Sequence, residues 1–309
     1  MHPARKRLVF IVASLVAVYF VWGSTYLALV FGLEGFPPFI LNGIRFLVAG
    51  VLVFGYGLSK GIELPTRTEW WNAGRIGFLL LVGGVGLVTI AEDVGVGSGL
   101  AATAVAVMPL WAAVISGFFG SWPRRMEWFG LSVGFAGVVI LAAEGDFQAT
   151  RTGAMLMIIA PVLWAFGSVW GKRLRLPSAT MTAAAQLLAA GVVLLVLGPL
   201  RGERIDGTPG AGAWLALGYL IVFGSIVGYT AYVYLLKEVR PALATSYAYV
   251  NPVVAVVLGI SLGGEILTGP AYVALPLILS GVALVTLGSR NLPAAKRHGG
   301  LKVTREAAH

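Results

Sequence analysis

Long apolar runs separated by short polar breaks make up most of this chain. A helix that crosses a bilayer needs about 20 consecutive, mostly apolar residues, and runs of that kind recur from residue 8 onward. The breaks carry turn-forming pairs such as Pro37-Pro38 and Gly269-Pro270. The pattern predicts an all-α polytopic membrane protein with ten transmembrane helices, at about 8–30, 38–58, 74–91, 96–119, 126–143, 153–171, 178–198, 212–236, 241–262 and 270–288.

Basic residues are distributed unevenly between the predicted loops. Of the 22 Lys and Arg residues, 18 fall in loops and tails that ten spans would place on one side of the membrane. Three fall on the other side, and Arg45 lies inside a span. Cytoplasmic loops of membrane proteins are enriched in Lys and Arg. Because an odd number of spans would destroy this asymmetry, we expect ten spans with the N- and C-termini in the cytoplasm.

The second half of the chain repeats the first. Residues 22–24 are echoed by 164–168, and residues 99–109 are echoed by 242–252. Five spans per half is an odd number, so the two halves enter the membrane in opposite orientations and form an inverted repeat. Such folds place their substrate site near the membrane midplane between the repeats and work by alternating access. The predicted segments are a first five-helix repeat at 8–143, a second at 153–288 and a disordered cytoplasmic tail at 289–309.

Composition narrows the class of protein further. Hydrophobic residues make up 58% of the chain and charged residues only 11%, whereas soluble domains have about 25% charged residues. The net charge of +9 fits basic cytoplasmic loops, so we predict no nucleic-acid partner. The chain has no cysteine, and its histidines lie only at positions 2, 298 and 309. We therefore expect no disulfide, no cofactor, no metal site and no histidine proton relay within the membrane.

Ionisable residues inside predicted spans are the first candidates for chemistry, because charges are costly in a bilayer. Arg45 could bind a substrate carboxylate, or it could hold Glu92 or Asp93 in a structural ion pair. Glu92 or Asp93 could in turn carry a proton in an exchange cycle, or merely face water outside the cell membrane. The sequence leaves these alternatives open.

Aromatic and polar residues within spans form a second group of candidates. Trp22 and Trp164 occupy matching places in the two halves, and such rings could stack on planar substrates or hold cations over their faces. The alternative is an interfacial aromatic belt, where Trp and Tyr are common. We predict that the substrate path is lined by Trp22, Trp164, Tyr249, Asn251 and Asn42, with Trp111 as a weaker candidate.

Two prolines occupy equivalent places in the repeated segments. Pro109 and Pro252 would each free a backbone carbonyl one turn back. That carbonyl could coordinate a ligand, or the prolines could act as hinges during alternation. Simple packing of the carbonyl against a neighbouring helix is the remaining interpretation.

Several motifs together resemble the drug/metabolite transporter superfamily, in particular the ten-helix exporters built from two EamA domains. The resemblance covers nearly all of residues 8–290 and rests on residues 22–25, 38–46, 98–110, 164–168, 241–252 and 263–265. It implies an exporter of small metabolites in the bacterial inner membrane, and aromatic amino acid exporters are one branch of the family. One departure concerns Gly264-Glu265 in the second half. At the equivalent place in the first half, Gly120 is not followed by Glu, and Glu127 comes seven residues later.

The predicted function is secondary active export of small amphipathic metabolites, above all amino acids including aromatic ones. The partners expected are a small-molecule substrate and the lipid bilayer, with a monomer as the default and a dimer left open. The chain has no Walker motif, so an ion gradient or the solute's own gradient would drive transport. The alternatives are a multidrug or planar-cation exporter, an intramembrane lipid-modifying enzyme and a channel. The enzyme interpretation is disfavoured because no His, Asp and Glu cluster lies in the spans.

Overall fold

The computed structural model describes residues 3–96, 101, 104–142, 150–263 and 269–289, and this part of the chain is helical. The helices are α1 (Pro3–Leu33), α2 (Pro38–Ser59), α3 (Arg67–Asp93), α4 (Met108–Phe118), α5 (Arg125–Ala142), α6 (Arg151–Gly171), α7 (Ala179–Leu200), α8 (Ala211–Glu238), α9 (Tyr247–Gly263) and α10 (Gly269–Ser289). A single turn, Pro241–Ala244, precedes α9. The predicted tail lies outside the described residues from position 290 onward.

Six of these helices are long and apolar enough to cross a membrane: α1, α2, α3, α6, α7 and α8. They lie where the hydrophobic pattern predicts spans, and their backbone polar groups are satisfied within each helix, as a bilayer requires. The described structure therefore agrees with a polytopic all-α membrane protein.

Local sequence signals set where several helices begin. α2 starts directly after Pro37, with Pro38 in its first turn, where the missing N–H costs nothing. At the start of α3 the Thr66 hydroxyl accepts from the Glu69 N–H, and the Glu69 carboxylate accepts from the Thr66 N–H. This capping box satisfies two otherwise free donors.

The fourth predicted span, 96–119, is not one described helix. Residues 97–100 and 102–103 lie outside the described part of the chain, and a turn at Ala106 and Val107 precedes α4. Pro109 therefore lies in the first turn of a helix, whereas Pro252 lies inside α9. The two prolines predicted as paired hinges thus occupy different structural positions, because the helix restarts just before Pro109.

The third helix of each half contains a π-helical segment. These segments are Phe78–Gly86 in α3 and Leu220–Tyr229 in α8, which are equivalent positions in the repeat. π-Helical turns are rare and are frequent at functional sites. In both segments glycines allow close approach. A Cβ at Gly84 would lie 2.5 Å from the Trp164 ring, and a Cβ at Gly228 would lie 2.5 Å from Trp22 Nε1.

Small residues also bring whole helices together. A Cβ at Gly191 in α7 would lie 2.6 Å from the Leu47 backbone nitrogen in α2. A Cβ at Gly130 in α5 would lie 2.8 Å from the Val285 backbone nitrogen in α10. Such contacts replace the hydrophobic driving force that lipid does not supply between helices. The Gly130-x-x-x-Gly134 spacing therefore serves packing within the chain.

The α7 C-terminus carries an acidic cap for α2. Gly202 has a φ of +85° and the Glu203 N–H bonds the Gly198 carbonyl at 3.0 Å, which is a Schellman ending. This turn directs Glu203 across to the other half of the chain. There its Oε2 accepts from the backbone N–H groups of Phe39 and Ile40, both at 3.0 Å.

We expect Glu203→Ala to lower the free energy of unfolding by about 2 kcal/mol, because two N-terminal donors of α2 lose a charged acceptor. The measurement is thermal or denaturant unfolding of the purified protein in detergent. Glu34 is an exposed acid on the connection before α2, so Glu34→Ala is the matched control. Equal stability of the two variants would contradict the capping role.

Candidate functional site

A cavity of about 90 Å³ lies between the two halves of the chain. That volume holds several water molecules, since one water needs about 10–15 Å³. Its walls come from α1, α2, α3 and α4 of the first half and from α6, α8 and α9 of the second. The aromatic and polar residues that line it include Trp22, Tyr26, Arg45, Trp164, Tyr247 and Asn251.

Four aromatic rings pack together at one side of this cavity, and we call them the aromatic cluster: Trp22, Trp164, Tyr232 and Tyr247. The Trp22 ring meets the Trp164 ring at a centroid distance of 5.5 Å and the Tyr247 ring at 4.6 Å, both edge to face. Tyr232 lies 5.4 Å from Trp164 and 5.7 Å from Tyr247. Edge-to-face geometry is the favourable arrangement of such rings, and here it joins both halves of the chain.

Each polar atom of the two indoles has a hydrogen-bond partner. Trp22 Nε1 donates to the Gly224 carbonyl at 3.0 Å, a carbonyl of the π segment in α8. Trp164 Nε1 donates to Tyr232 Oη at 2.8 Å, and that hydroxyl also bonds Ser168 Oγ at 2.6 Å. These bonds fix the ring orientations, so the cavity wall is preorganised.

Arg45 is the buried cation of the cavity, with only 5% of its surface exposed. Its Nε donates to Ser225 Oγ at 2.8 Å and its Nη1 approaches Asn42 Oδ1 at 3.4 Å. The guanidinium carbon lies 5.1 Å from the Phe46 ring centroid. Within the described ranges no ion pair joins Arg45 to Glu92 or Asp93, so neutral groups hold it in place.

Three acceptor atoms at or near the cavity, on two side chains, lack a hydrogen-bond partner among the described residues. They are Asn251 Oδ1 and both carboxylate oxygens of Glu92, and all three atoms are buried. The Tyr26 hydroxyl lies against the Asn251 amide and close to Glu92. Buried acceptors are normally satisfied, so each unsatisfied one needs an explanation.

The structure brings together some of the residues predicted from sequence and separates others. Trp22, Trp164, Arg45 and Asn251 line the cavity. Asn42 lies one step behind the wall, where its amide donates to Thr89 Oγ1 at 2.9 Å.

Tyr249, Trp111 and Asp93 lie elsewhere. Tyr249 is fully buried between α5 and α10, and its hydroxyl donates to the Leu131 carbonyl at 3.1 Å. Tyr249 comes two positions after Tyr247, and side chains two positions apart on a helix point to different faces. Trp111 is 38% exposed on the outer surface, and Asp93 is exposed at the end of α3.

Several wall residues were not predicted as site residues. Tyr26 follows Trp22 by four positions and therefore shares its face of α1, a spacing that could have identified it. Tyr229 and Tyr247 are fully or nearly fully buried in the same wall. Ser225 carries no sequence signal, because its role depends on Arg45 reaching it from 180 residues away.

Polar contacts join the two halves at one end of the bundle, where α1 begins, and we call it the basic end. Arg7 pairs with Glu238 at 2.5 Å and Arg240 pairs with the buried Glu127 at 2.7 Å. Arg173 donates to the Phe119 carbonyl, and the Asn72 amide donates to the Arg175 carbonyl at 3.1 Å. On α8, Tyr232 lies between the cavity residue Tyr229 and Glu238 at this end, so the aromatic cluster stands between the cavity and the basic end.

Comparisons with known proteins agree with this arrangement. The model of a family described as "EamA-like transporter family" matches residues 9–143 and again residues 151–287. The chain is 46% identical over 289 residues to "Uncharacterized inner membrane transporter YedA" of Escherichia coli strain K12, covering 94% of each chain.

More distant relatives have names that mention a cargo. A "Probable amino-acid metabolite efflux pump" of Salmonella typhimurium is 24% identical and covers 88% of this chain and 93% of its own. A "Probable terminal-alkyne amino-acid exporter" of Streptantibioticus cattleyicolor is 26% identical, with 90% and 94% covered. A solved structure titled "Crystal structure of protein" superposes with a TM-score of 0.75 at 22% identity, covering 92% and 99%, which supports the fold alone.

Proposed function

Because the chain belongs to the EamA-like transporter family, and is thus a multi-pass transporter of the inner membrane rather than an enzyme, we propose that it exports small amphipathic metabolites. The cargo we propose is amino acids, aromatic ones included. The names of two relatives, an amino-acid metabolite efflux pump and an amino-acid exporter, support this cargo class.

The cavity between the halves carries the proposal. Its wall combines aromatic rings, which stack on apolar or planar side chains, with the buried guanidinium of Arg45, which suits a carboxylate. A mostly apolar wall with few polar groups is typical of small-molecule sites. Such sites measure about 300–1,000 Å³, so the cavity of about 90 Å³ would widen as the halves move apart to admit the cargo. An amino acid with a large side chain presents the matching surface, one apolar part and one charged head.

We further propose ten spans arranged as two inverted five-helix repeats with cytoplasmic termini. The basic end then faces the cytoplasm, in keeping with the distribution of Lys and Arg. The matched π segments and the matched Trp22 and Trp164 support a two-fold relation between the halves. Transport would alternate as one half rocks against the other, opening the basic end to load substrate and closing it to release substrate outside.

The test is efflux of radiolabelled phenylalanine and tryptophan from proteoliposomes, with and without an imposed pH gradient. We expect saturable flux in the native protein and at least a tenfold loss in Trp164→Ala, because a wall ring is removed from the cavity. Trp111→Ala is the control, since Trp111 lies on the outer surface, and its flux should match the native protein. Dependence on the pH gradient would identify proton coupling.

Other results would change the assignment. Flux of neither amino acid above empty liposomes would overturn the aromatic cargo. Flux of planar cations instead would favour multidrug export. The aromatic cluster and the Glu92 carboxylate, which has no hydrogen-bond partner among the described residues, would also accommodate such cations. Equal flux in Trp164→Ala and the native protein would show that substrate does not pass this cavity.

A further inference from the structure

We propose that the cavity recognises its cargo as a zwitterion, binding both charges of an α-amino acid head group. Arg45 receives the carboxylate, and Glu92 together with Asn251 receives the ammonium group. This inference rests on the proposed function, and it adds which atoms select the cargo and which molecules the site rejects.

The first part of the proposed binding site is the Arg45 guanidinium, which has no counter-ion among the described residues. Arg45 is buried, and its hydrogen bonds go to the neutral oxygens of Ser225 and Asn42. A buried charge is normally paired with an opposite charge, and within the described part of the chain Arg45 has none. Its planar fork of donors matches a carboxylate in bidentate fashion. A carboxylate that enters the cavity would therefore supply the missing charge.

The second part of the proposed binding site consists of carboxylate and amide oxygens that lack a donor among the described residues. Both oxygens of Glu92 and Oδ1 of Asn251 are buried with no hydrogen-bond partner in the described ranges. An ammonium group has three donors and no acceptor, so it can satisfy Asn251 Oδ1 and the Glu92 carboxylate at once. A head group with one charge satisfies either these acceptors or Arg45, whereas a zwitterion satisfies both.

Arg45 and Asn251 line one cavity, and Glu92 lies next to it. Val85 and Val88 of α3 line it, and Glu92 follows Val88 by four residues, which places it one turn further along the same face. Tyr26 lines the cavity, and its hydroxyl lies against the Asn251 side chain and within electrostatic range of Glu92. Arg45 lines the same cavity beside Gly224. The aromatic cluster is left to contact the side chain of the cargo.

Two neutral side chains, Asn42 and Thr89, connect Arg45 to the turn of α3 that leads to Glu92. Asn42 donates to Thr89 Oγ1 at 2.9 Å, and Thr89 precedes Glu92 by three residues on α3. The Asn42 oxygen also faces Arg45. Arg45 therefore bonds a neutral oxygen on this side, and within the described ranges no ion pair joins it to Glu92. Both charges stay available for a ligand that carries both.

The experiment compares three ligands of nearly equal shape: L-phenylalanine, phenethylamine, which lacks the carboxylate, and 3-phenylpropionate, which lacks the ammonium group. Each is measured as flux into or out of proteoliposomes and as displacement of bound radiolabelled L-phenylalanine. The variants are Arg45→Gln and Glu92→Gln, with exposed Glu34→Gln as control. The native protein should prefer L-phenylalanine at least tenfold over both one-charge ligands.

Each variant should lose recognition of one charge of the ligand only: the carboxylate for Arg45→Gln and the ammonium group for Glu92→Gln. Arg45→Gln should lower kcat/KM for L-phenylalanine by about 10- to 100-fold, the effect of one charged hydrogen-bonding partner, and leave phenethylamine unchanged or improved. Glu92→Gln should lower kcat/KM for L-phenylalanine by a similar factor and leave kcat/KM for 3-phenylpropionate unchanged. Glu34→Gln should behave as the native protein. If either variant fails to fold, the preference of the native protein among the three ligands decides the matter.

The outcomes separate this inference from the broader function. Phenylalanine flux that the one-charge ligands match or inhibit equally would overturn zwitterion recognition and leave export standing. Phenethylamine flux without phenylalanine flux would overturn it in favour of a cation exporter. Absence of flux for all three ligands and for a panel of other amino acids would overturn both.

Discussion

We expect transport to stop when a thiol cross-linker joins the two halves of the chain across the basic end. The pair to use is Arg7→Cys with Glu238→Cys, because these side chains already meet at 2.5 Å and belong to different halves. The chain has no cysteine of its own, so no other thiol reacts. A short bis-maleimide should link the two positions in high yield.

The physical reason is that alternating access requires this end to open. In the described state the cavity is separated from the basic end by Tyr232 and its ring contacts, and the halves are held there by several polar contacts. If one half rocks against the other around the cavity, these contacts must separate once per cycle. A covalent link across them prevents the separation, so no substrate is loaded from that side.

The measurement is amino acid flux in proteoliposomes before and after cross-linking, with the linked fraction read from a gel. Flux should fall in proportion to the linked fraction and reach the level of empty liposomes at complete linkage. The control pair is Lys172→Cys with Val239→Cys, whose native side chain and carbonyl meet within the second half. Cross-linking the control should preserve flux. Full flux through the completely linked Arg7 and Glu238 pair would exclude rocking at this end.

Arg240→Gln should lower the free energy of unfolding by about 3–5 kcal/mol, the usual cost of removing one partner of a buried ion pair. Arg240 Nη1 meets Glu127 Oε2 at 2.7 Å, and the Glu127 carboxylate has no solvent exposure. A side chain at Gly288 would meet Glu127 Cγ at 2.8 Å, so α10 seals this site against water. Loss of the cation leaves Glu127 with weaker compensation in a place that water cannot reach.

The control is the exposed pair at the same end. Arg7 is 54% exposed in its pair with Glu238, and surface ion pairs contribute about 0–1 kcal/mol, so Arg7→Gln should change stability little. Unfolding in detergent measured by thermal or denaturant titration distinguishes the two. The double variant Arg240→Gln with Glu127→Gln should recover part of the loss. A loss no larger for Arg240→Gln than for Arg7→Gln would show that the buried pair contributes nothing special.

The hydrophobic pattern predicts the positions of the helices closely. The span predicted at 178–198 is helix α7, Ala179–Leu200, and the one predicted at 38–58 is α2, Pro38–Ser59. This works because a bilayer requires each spanning segment to satisfy its own backbone and to be apolar over its whole length. Both properties are local, so they are written in consecutive residues. The break before α4 is not local in this sense, and the pattern of apolar residues runs through it.

The site was only partly predictable. Trp22 and Trp164 are identified by the internal repeat, since a ring retained at the same depth in both halves points to a shared cavity wall. Tyr249 was predicted because of its depth, yet it faces α5, where a Cβ at Gly134 would lie 2.9 Å from its ring. Depth in the membrane follows from position along a helix, whereas the face that a residue presents depends on the neighbours of that helix.

By itself, then, the sequence determined that this chain is a helical membrane protein with two related halves, because apolar length and repetition are properties of consecutive residues. Only the tertiary structure decided which polar groups meet. Arg240 meets Glu127 across 113 residues, and Arg45 meets Ser225 across 180, while the Glu92 carboxylate and Asn251 Oδ1 find no hydrogen-bond partner in the described part of the chain. Helix packing sets these contacts, since a rotation of one helix by a single residue exchanges the side chains that face the cavity.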